Sequence, residues 1–400
     1  MLIYTDSFKL HLYKQKITSK MSASSLVDLD SLEATILIDN DLDPMSPVPP
    51  DTVEVTGLMR TLATSSPHDI HDRGDAHKEL QMEDICCSAH ELSILVTATK
   101  DNKQHTILFD AGPEGDAWER NVKRLRPDLA SVEVVQLSHW HRDHSVGLVC
   151  AKWVNAGGLQ RAIEMITDAK KKAGGNSSAT IVDLHPDRPD YRGMAIGNNI
   201  ISLQADPSFE ELEAAGGVVQ KHADAHTVLD DLFFISGEIP RRTGYEHGLK
   251  GGMRFDAEEK DWFSDEGIAD ERFLMCRLND KGIVMFTACS HAGVVNCAQH
   301  AVDSLDGEVP LHAIVGGFHL ATSETSQMES TVRDLKRLDP AVILPGHCSG
   351  WRAKFAIERI SLGLIVMMDA GVLEMMPVWA VFQDNPSDNA WSDRRAMVTT

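Results

Sequence analysis

No stretch limits the fold of this chain as strictly as His139-Trp140-His141-Arg142-Asp143-His144, which packs three imidazoles and a carboxylate into six positions. Imidazole nitrogen and carboxylate oxygen are donors suited to first-row transition metals, and a catalytic zinc takes about three protein ligands while keeping one position open. Four candidate donors here are enough to seed two neighbouring ions. The run before them, Val132-Glu133-Val134-Val135-Gln136-Leu137, is apolar and β-branched enough for a buried strand, and Gly147-Leu148-Val149 onward reads as a helix. The donors are therefore expected on a strand-to-helix turn, where exposed backbone is anchored on both sides by packed elements.

Other apolar runs follow the same grammar and end in histidine: Met285-Phe286-Thr287-Ala288-Cys289-Ser290-His291, Ile314-Val315-Gly316-Gly317-Phe318-His319 and Val342-Ile343-Leu344-Pro345-Gly346-His347. Strand ends gathered at one sheet edge bring donors together, so His291 and His347 join the expected ligands beside His139, His141, Asp143 and His144. Further strands are expected at Ala34 to Asn40, Leu232 to Ile235, Gly282 to Thr287, Ala313 to Val315 and Ala341 to Leu344. A hairpin pairs Leu92–Thr97 with Thr106–Asp110 across the Lys100–Lys103 turn. A helix is expected from a capping box at Ser326-Gln327-Met328-Glu329 to about Leu338.

The chain is expected to divide into a disordered leader over 1–32, one domain over 33–382 and a polar tail over 383–400, with an irregular insertion or lid at about 157–224. A formal net charge of -22 removes the basic footprint that nucleic acid or an anionic membrane needs, which favours a small, possibly anionic substrate. Seven cysteines without a C-x-x-C pair point to a reducing, cytoplasmic setting, and Asp6 and a leader lacking Arg argue only mildly against mitochondrial targeting. Oligomeric state is left open by the sequence.

His139-x-His141-x-Asp143-His144, with Phe109-Asp110-Ala111-Gly112 and the later strand-end histidines, resembles the metallo-β-lactamase fold superfamily. Phe234-Ile235-Ser236-Gly237-Glu238-Ile239-Pro240-Arg241, Cys289-Ser290-His291-Ala292-Gly293, Gly316-Gly317-Phe318-His319-Leu320 and Gly346-His347-Cys348 are similar to its 7,8-dihydropterin-6-methyl-4-(β-D-ribofuranosyl)-aminobenzene-5'-phosphate synthase-like branch. The resemblance implies an α/β, four-layer αβ/βα sandwich, with two mixed β-sheets face to face and helices outside. It also implies that His139, His141 and a later histidine hold one ion, that Asp143, His144 and His347 hold another, and that Asp110 orients them from behind. The chain departs from the pattern where many superfamily members carry a bridging aspartate: here the strand ends in Thr287-Ala288-Cys289-Ser290-His291, with His291 the favoured replacement ligand and Cys289 a weaker one.

The leading expectation is a soluble metal-dependent hydrolase using one or two ions, zinc before manganese or iron, to activate water against a small phosphoester, ester or amide. Asp143 and His319 are its candidate catalytic residues, and Arg241 and Arg242 its candidate substrate cations. The alternatives are a dihydropterin-type synthase, a transferase that displaces pyrophosphate from a pterin carbon, and a non-catalytic metal-binding protein.

Overall fold

Along β10 (Gly282–Thr287), Val284 and Phe286 point to one side and Ile283 and Met285 to the other, and all four are buried. A strand apolar on both faces needs cover on both. In the computed structural model, which describes residues 25–46, 69–82, 85–112, 114–145, 158–174, 178–360, 371–375, Ala23 and a few positions between 53 and 64, that cover is a second sheet on one side and helices on the other.

The first sheet contains β1 (Ser31–Ile38), β2 (Ser93–Lys100), β3 (Lys103–Phe109), β4 (Val132–Gln136), β5 (Ile181–Leu184), β6 (Val218–Lys221) and β13 (Gly371–Met375), in the order β6-β5-β4-β3-β2-β1-β13, with the two-residue strand Glu54–Val55 on the outer edge of β13. The second runs β7 (His226–Val228), β8 (Phe233–Ile235), β9 (Leu274–Leu278), β10, β11 (Leu311–Gly317) and β12 (Val342–Gly346). Both sheets are mixed: β3 to β6 and β10 to β12 are parallel, and the remaining neighbours antiparallel. Ile94, Val96, Ile107 and Phe109 meet Phe233, Leu274, Phe286 and Val315 between the sheets. Leu95, Leu108 and Val135 face outward against α1 (Gly115–Leu125) and α3 (Gly158–Lys172). Ile314 and Ile343 face α5 (Val294–Ser304), α6 (Thr325–Leu338) and α7 (Trp351–Ile360). This is the four-layer arrangement that the resemblance implies.

Several boundaries differ from the sequence reading. Leu26 and Leu29 are buried and Asp28–Leu29 pairs with β9, so the fold starts before residue 33; most of the expected leader, and the tail, lie outside the described residues. The expected insertion is largely sheet and cover, because α3 packs on the first sheet and β5 and β6 are two of its strands. Only Tyr191–Ile196 and Asn199–Ser202 leave it, forming a separate four-stranded sheet with Gly252–Asp256 and Asp261–Ser264. The capping box expected at Ser326 is absent: Glu324 is the N-cap of α6 and makes no side-chain cap. A capping box does occur at Ser208–Glu211, where α4 (Phe209–Ala214) begins. Arg142–Ser145 forms a short helix, α2, and the helix expected from Gly147 lies outside the described residues. Among the described residues no helix is long and apolar enough to cross a membrane.

Candidate metal centre

The turn after β4 and the ends of β10, β11 and β12 meet at one edge of the sandwich, and the six expected metal ligands meet there with them. His139 Nε2 lies 2.9 Å from His141 Nδ1, which lies 3.1 Å from His291 Nε2. Ser138 Oγ gives its proton to Asp110 Oδ2 at 2.7 Å, so it accepts one from His139 Nδ1 at 2.9 Å. In a neutral ring this leaves a lone pair on His139 Nε2. Burial holds His139, His141 and His291 well below the usual imidazole range, so three uncharged rings bring their nitrogens together. Three such atoms cannot all be satisfied by hydrogen bonds among themselves. A cation among them suits the arrangement.

A second donor group adjoins the first. Asp143 Oδ2 lies 3.3 Å from His347 Nε2 and 3.7 Å from His144 Nε2, and the His347 atom is buried with no hydrogen-bond partner. Asp110 Oδ2, 2.9 Å from His144 Nδ1, fixes the ring so that Nε2 faces the group. Burial opposes a charge on His144, but Asp143 and Asp110 outweigh it and raise the ring to about 9. Without an ion that proton answers the two carboxylates, and a cation bound at Nε2 would take its place.

Cys289 joins the two groups. Its Sγ is 3.2 Å from His144 Nε2, and it falls within 4.8 Å of the donor atoms of Asp143, His144 and His347 and, separately, of His139 and His291. It occupies the strand-end place where the resemblance leads one to expect a bridging aspartate. A thiolate there would offer the shared negative donor that the sequence lacked. Burial pushes the Cys289 thiol up, so only a bound cation would draw off its proton.

Four residues of this edge have a strained backbone. Asp110, Ser290, His319 and His347 all have positive φ, 56°, 59°, 47° and 45°, a region that non-glycine residues seldom enter. Anchors hold them: Asp39 Oδ1 accepts from His347 N at 2.6 Å, and Glu271 accepts from His291 N and Ala292 N, each at 2.7 Å. Burial raises Asp39 to about 6 and Glu271 to about 7. Arg192 and Asp270 grip the turn itself, through Arg192 Nη1 to Trp140 O at 2.6 Å and Trp140 N to Asp270 Oδ2 at 2.7 Å.

The remaining candidates divide. His319 lies at the site, its ring 4.5 Å from His291, and its Nδ1 is buried with no hydrogen-bond partner. Cys348 also reaches the site beside Cys289 and His319. Arg241 is exposed at the rim and its charge is felt by Glu271, whereas Arg242 is paired with Asp303 of α5 and directed away. Sequence reasoning missed His90, whose Nε2 lies 3.8 Å from Asp143 and whose ring is 5.1 Å from that of His347. It also missed Asn40, 3.1 Å from His347 Nδ1. Neither position carries a motif; the strand ends β1 and β2 simply arrive at this edge.

Glu91, beside His90, is fully buried and its Oε1 has no hydrogen-bond partner. Burial raises its carboxyl from the ordinary 4.5 to about 8, so the folded chain holds that proton more tightly than the unfolded one. The stabilisation is complete below pH about 4.5 and is lost as pH climbs toward 8. Glu91→Gln is therefore expected to remove a decline of up to ~1.4 kcal/mol per pH unit across this window. Denaturant titrations of both proteins between pH 5 and 8.5 check it, and parallel curves would refute it.

The fold and the donor set define a protein of the metallo-β-lactamase fold. Of the solved structures, a metal-dependent hydrolase of the β-lactamase superfamily aligns at TM-score 0.57 and 20% identity over 86% of this chain and all of that one. A diphosphatase of the PhnP family aligns at TM-score 0.41 and 12% identity over 86% of this chain and 97% of that one. No family model matches the chain. In sequence it is similar to the 7,8-dihydropterin-6-methyl-4-(β-D-ribofuranosyl)-aminobenzene-5'-phosphate synthase of Methanocaldococcus jannaschii, 26% identical over 289 residues that span 70% of this chain and 90% of the synthase. This is the branch that the motifs resemble. It overturns the expectation of a hydrolase, because the curated relative is a synthase; the hydrolase alignment, at 20% identity, speaks for the fold alone.

Proposed function

We propose that this chain is a metal-dependent synthase of pterin metabolism that joins the 6-methyl carbon of a dihydropterin to the nitrogen of a ribofuranosyl-aminobenzene phosphate, with diphosphate leaving. The observation that carries the reading is similarity to the named synthase along nine-tenths of that protein's length, with the donor groups intact at the strand ends. His139, His141 and His291 would hold one ion, Asp143, His144 and His347 a second, and Cys289 would be shared between them. Imidazole with thiolate suits Zn2+ before Mn2+ or iron. A divalent ion held there would supply positive charge to a departing diphosphate.

The chain's own groups have separate tasks. As the C–N bond forms, the C–O bond to diphosphate breaks and its electron pair leaves with the diphosphate. The aminobenzene nitrogen then sheds a proton, a role assigned in this reading to His319 Nδ1, and its burial without a partner supports the assignment. Arg241, at the rim, offers a guanidinium to substrate phosphate. His319 lines a cleft with Glu246, His247, Phe318 and Gln327 beside His291, which gives the substrate a polar wall and an aromatic one.

The test supplies a dihydropterin 6-methyl diphosphate and 4-(β-D-ribofuranosyl)-aminobenzene 5'-phosphate, and follows diphosphate release and the coupled product by mass spectrometry. Diphosphate release that depends on the arylamine is the expected result. Release at the same rate without it, or no turnover by metal-replete protein, sinks the reading. His141→Ala should lose at least one ion per chain and the coupling activity together, and unchanged metal content by elemental analysis would argue against the ligand assignment.

A further inference from the structure

A second group of imidazoles lies outside this centre. Asp183, in β5, is buried, and its Oδ2 is 2.6 Å from Nδ1 of His222 and 2.9 Å from Nε2 of His226. The two rings lie against each other, tilted by 37°, with centroids 4.1 Å apart. Arg272, fully buried, donates to the other oxygen, Asp183 Oδ1, at 2.6 Å. His226 Nδ1 is 3.1 Å from the carbonyl oxygen of Asp224. A carbonyl has no proton to give, so His226 Nδ1 carries the hydrogen. In the neutral ring Nε2 then holds only a lone pair, and it faces a carboxylate oxygen that also holds only lone pairs. Either a second proton on the ring, at Nε2, or a bound metal cation must therefore lie between them.

We propose that Asp183, His222 and His226 form a separate cation site that takes a divalent first-row transition ion such as Zn2+, through Asp183 Oδ2, His222 Nδ1 and His226 Nε2, with solvent as the fourth ligand. Two imidazoles and one carboxylate are a donor set for such an ion. The charge of Arg272 cancels that of Asp183, so the site has no excess negative field with which to attract Ca2+ or Mg2+, hard cations that prefer oxygen cages. Nitrogen donors decide the selectivity. The donor atoms are closer together than the ~3.3 Å that ~2.05 Å bonds to one tetrahedral ion would set, so the rings must move outward by a few tenths of an ångström. They can: the His222 side chain is 36% exposed and that of His226 18%, while Asp183 is held in place by Arg272. Burial opposes the Asp183 charge, but without an ion the hydrogen bond from a protonated His226 and the charge of Arg272 outweigh it and hold the carboxyl near 2; Arg272 stays in place when an ion takes the proton's position.

The role is structural. Arg272 Nη2 donates to Leu137 O and Arg272 N to Ser138 O, on the last residues before His139. An ion at Asp183 would therefore clamp the 222–226 loop to the strand end that carries the main centre's turn, through one shared arginine.

Zn2+ binding by chelator-stripped full-length chain, counted by elemental analysis after dialysis, tests this. The double variant His222→Gln/His226→Gln should bind one ion fewer per chain than its parent, both in wild type and in a Cys289→Ala background where the main centre is already impaired. Loss in both backgrounds separates this site from the main one. An equal count in variant and parent overturns the proposal. Should the double variant fail to fold by circular dichroism, His222→Gln alone changes only a rim residue. It should weaken Zn2+ at this site at least tenfold, and an unaltered Kd overturns the proposal equally.

Discussion

Cys289→Ala is expected to strip metal from both donor groups at once and to lower coupling activity by about 10³-fold or more. The size follows from position. Cys289 Sγ lies against His144 Nε2 and within reach of the donors of both groups, so its removal costs each of them a ligand and deletes a shared negative charge. Charge stabilisation by a bound metal is worth several kcal/mol, and ~4 kcal/mol corresponds to a factor of about 10³ in rate. Cys289→Asp puts a carboxylate where the superfamily commonly has one and should recover part of both metal and activity. Elemental analysis of protein purified without added metal, together with steady-state rates, reads the outcome. Undiminished metal in Cys289→Ala would show that the sulfur is packing rather than a ligand.

Arg192→Met should cost about 3–5 kcal/mol of folding free energy, the usual penalty for leaving a buried charge without its partner. Arg192 and Asp270 are 3% and 2% exposed, and Arg192 also bonds Asp265 through Nε at 2.9 Å. Substitution would leave Asp270 ionised, buried and held only by Trp140 N, and would free Trp140 O between two ligand histidines. Denaturant unfolding gives the magnitude. Arg192→Met/Asp270→Leu should regain much of the loss, since replacing both partners avoids the unpaired charge. A single-variant loss under ~1 kcal/mol would mean that solvent reaches Asp270.

The sandwich was legible because its strands are long apolar runs, some ending in a histidine, and because the Leu92–Asp110 hairpin has a polar turn. The donors were legible for the same reason: a strand end fixes where a side chain arrives before any tertiary detail is known. Cys289 was only half legible, since an expected aspartate at that strand end drew the choice to His291, whereas in space both residues reach the donors. His90, Asn40, Asp39 and Glu271 were not legible at all. Each is a single polar residue whose meaning comes from a partner 20 to 308 positions away. The lid expected near 157–224 was misread because Gly-Gly-Asn-Ser-Ser interrupts it, although the apolar stripe of α3 and the run Ile181–Leu184 belong to the first sheet.

The bond from His347 N to Asp39 joins residues 308 positions apart, almost the whole described span. A ribosome making this chain releases Asp39 long before His347 exists, and the closure of so long a loop is entropically slow. The second donor group is therefore assembled only after the C-terminal strands dock on the N-terminal half. A polypeptide ending before β12 would carry His139, His141, Asp143 and His144 but lack His347, so the second donor group is complete only in the nearly full-length chain.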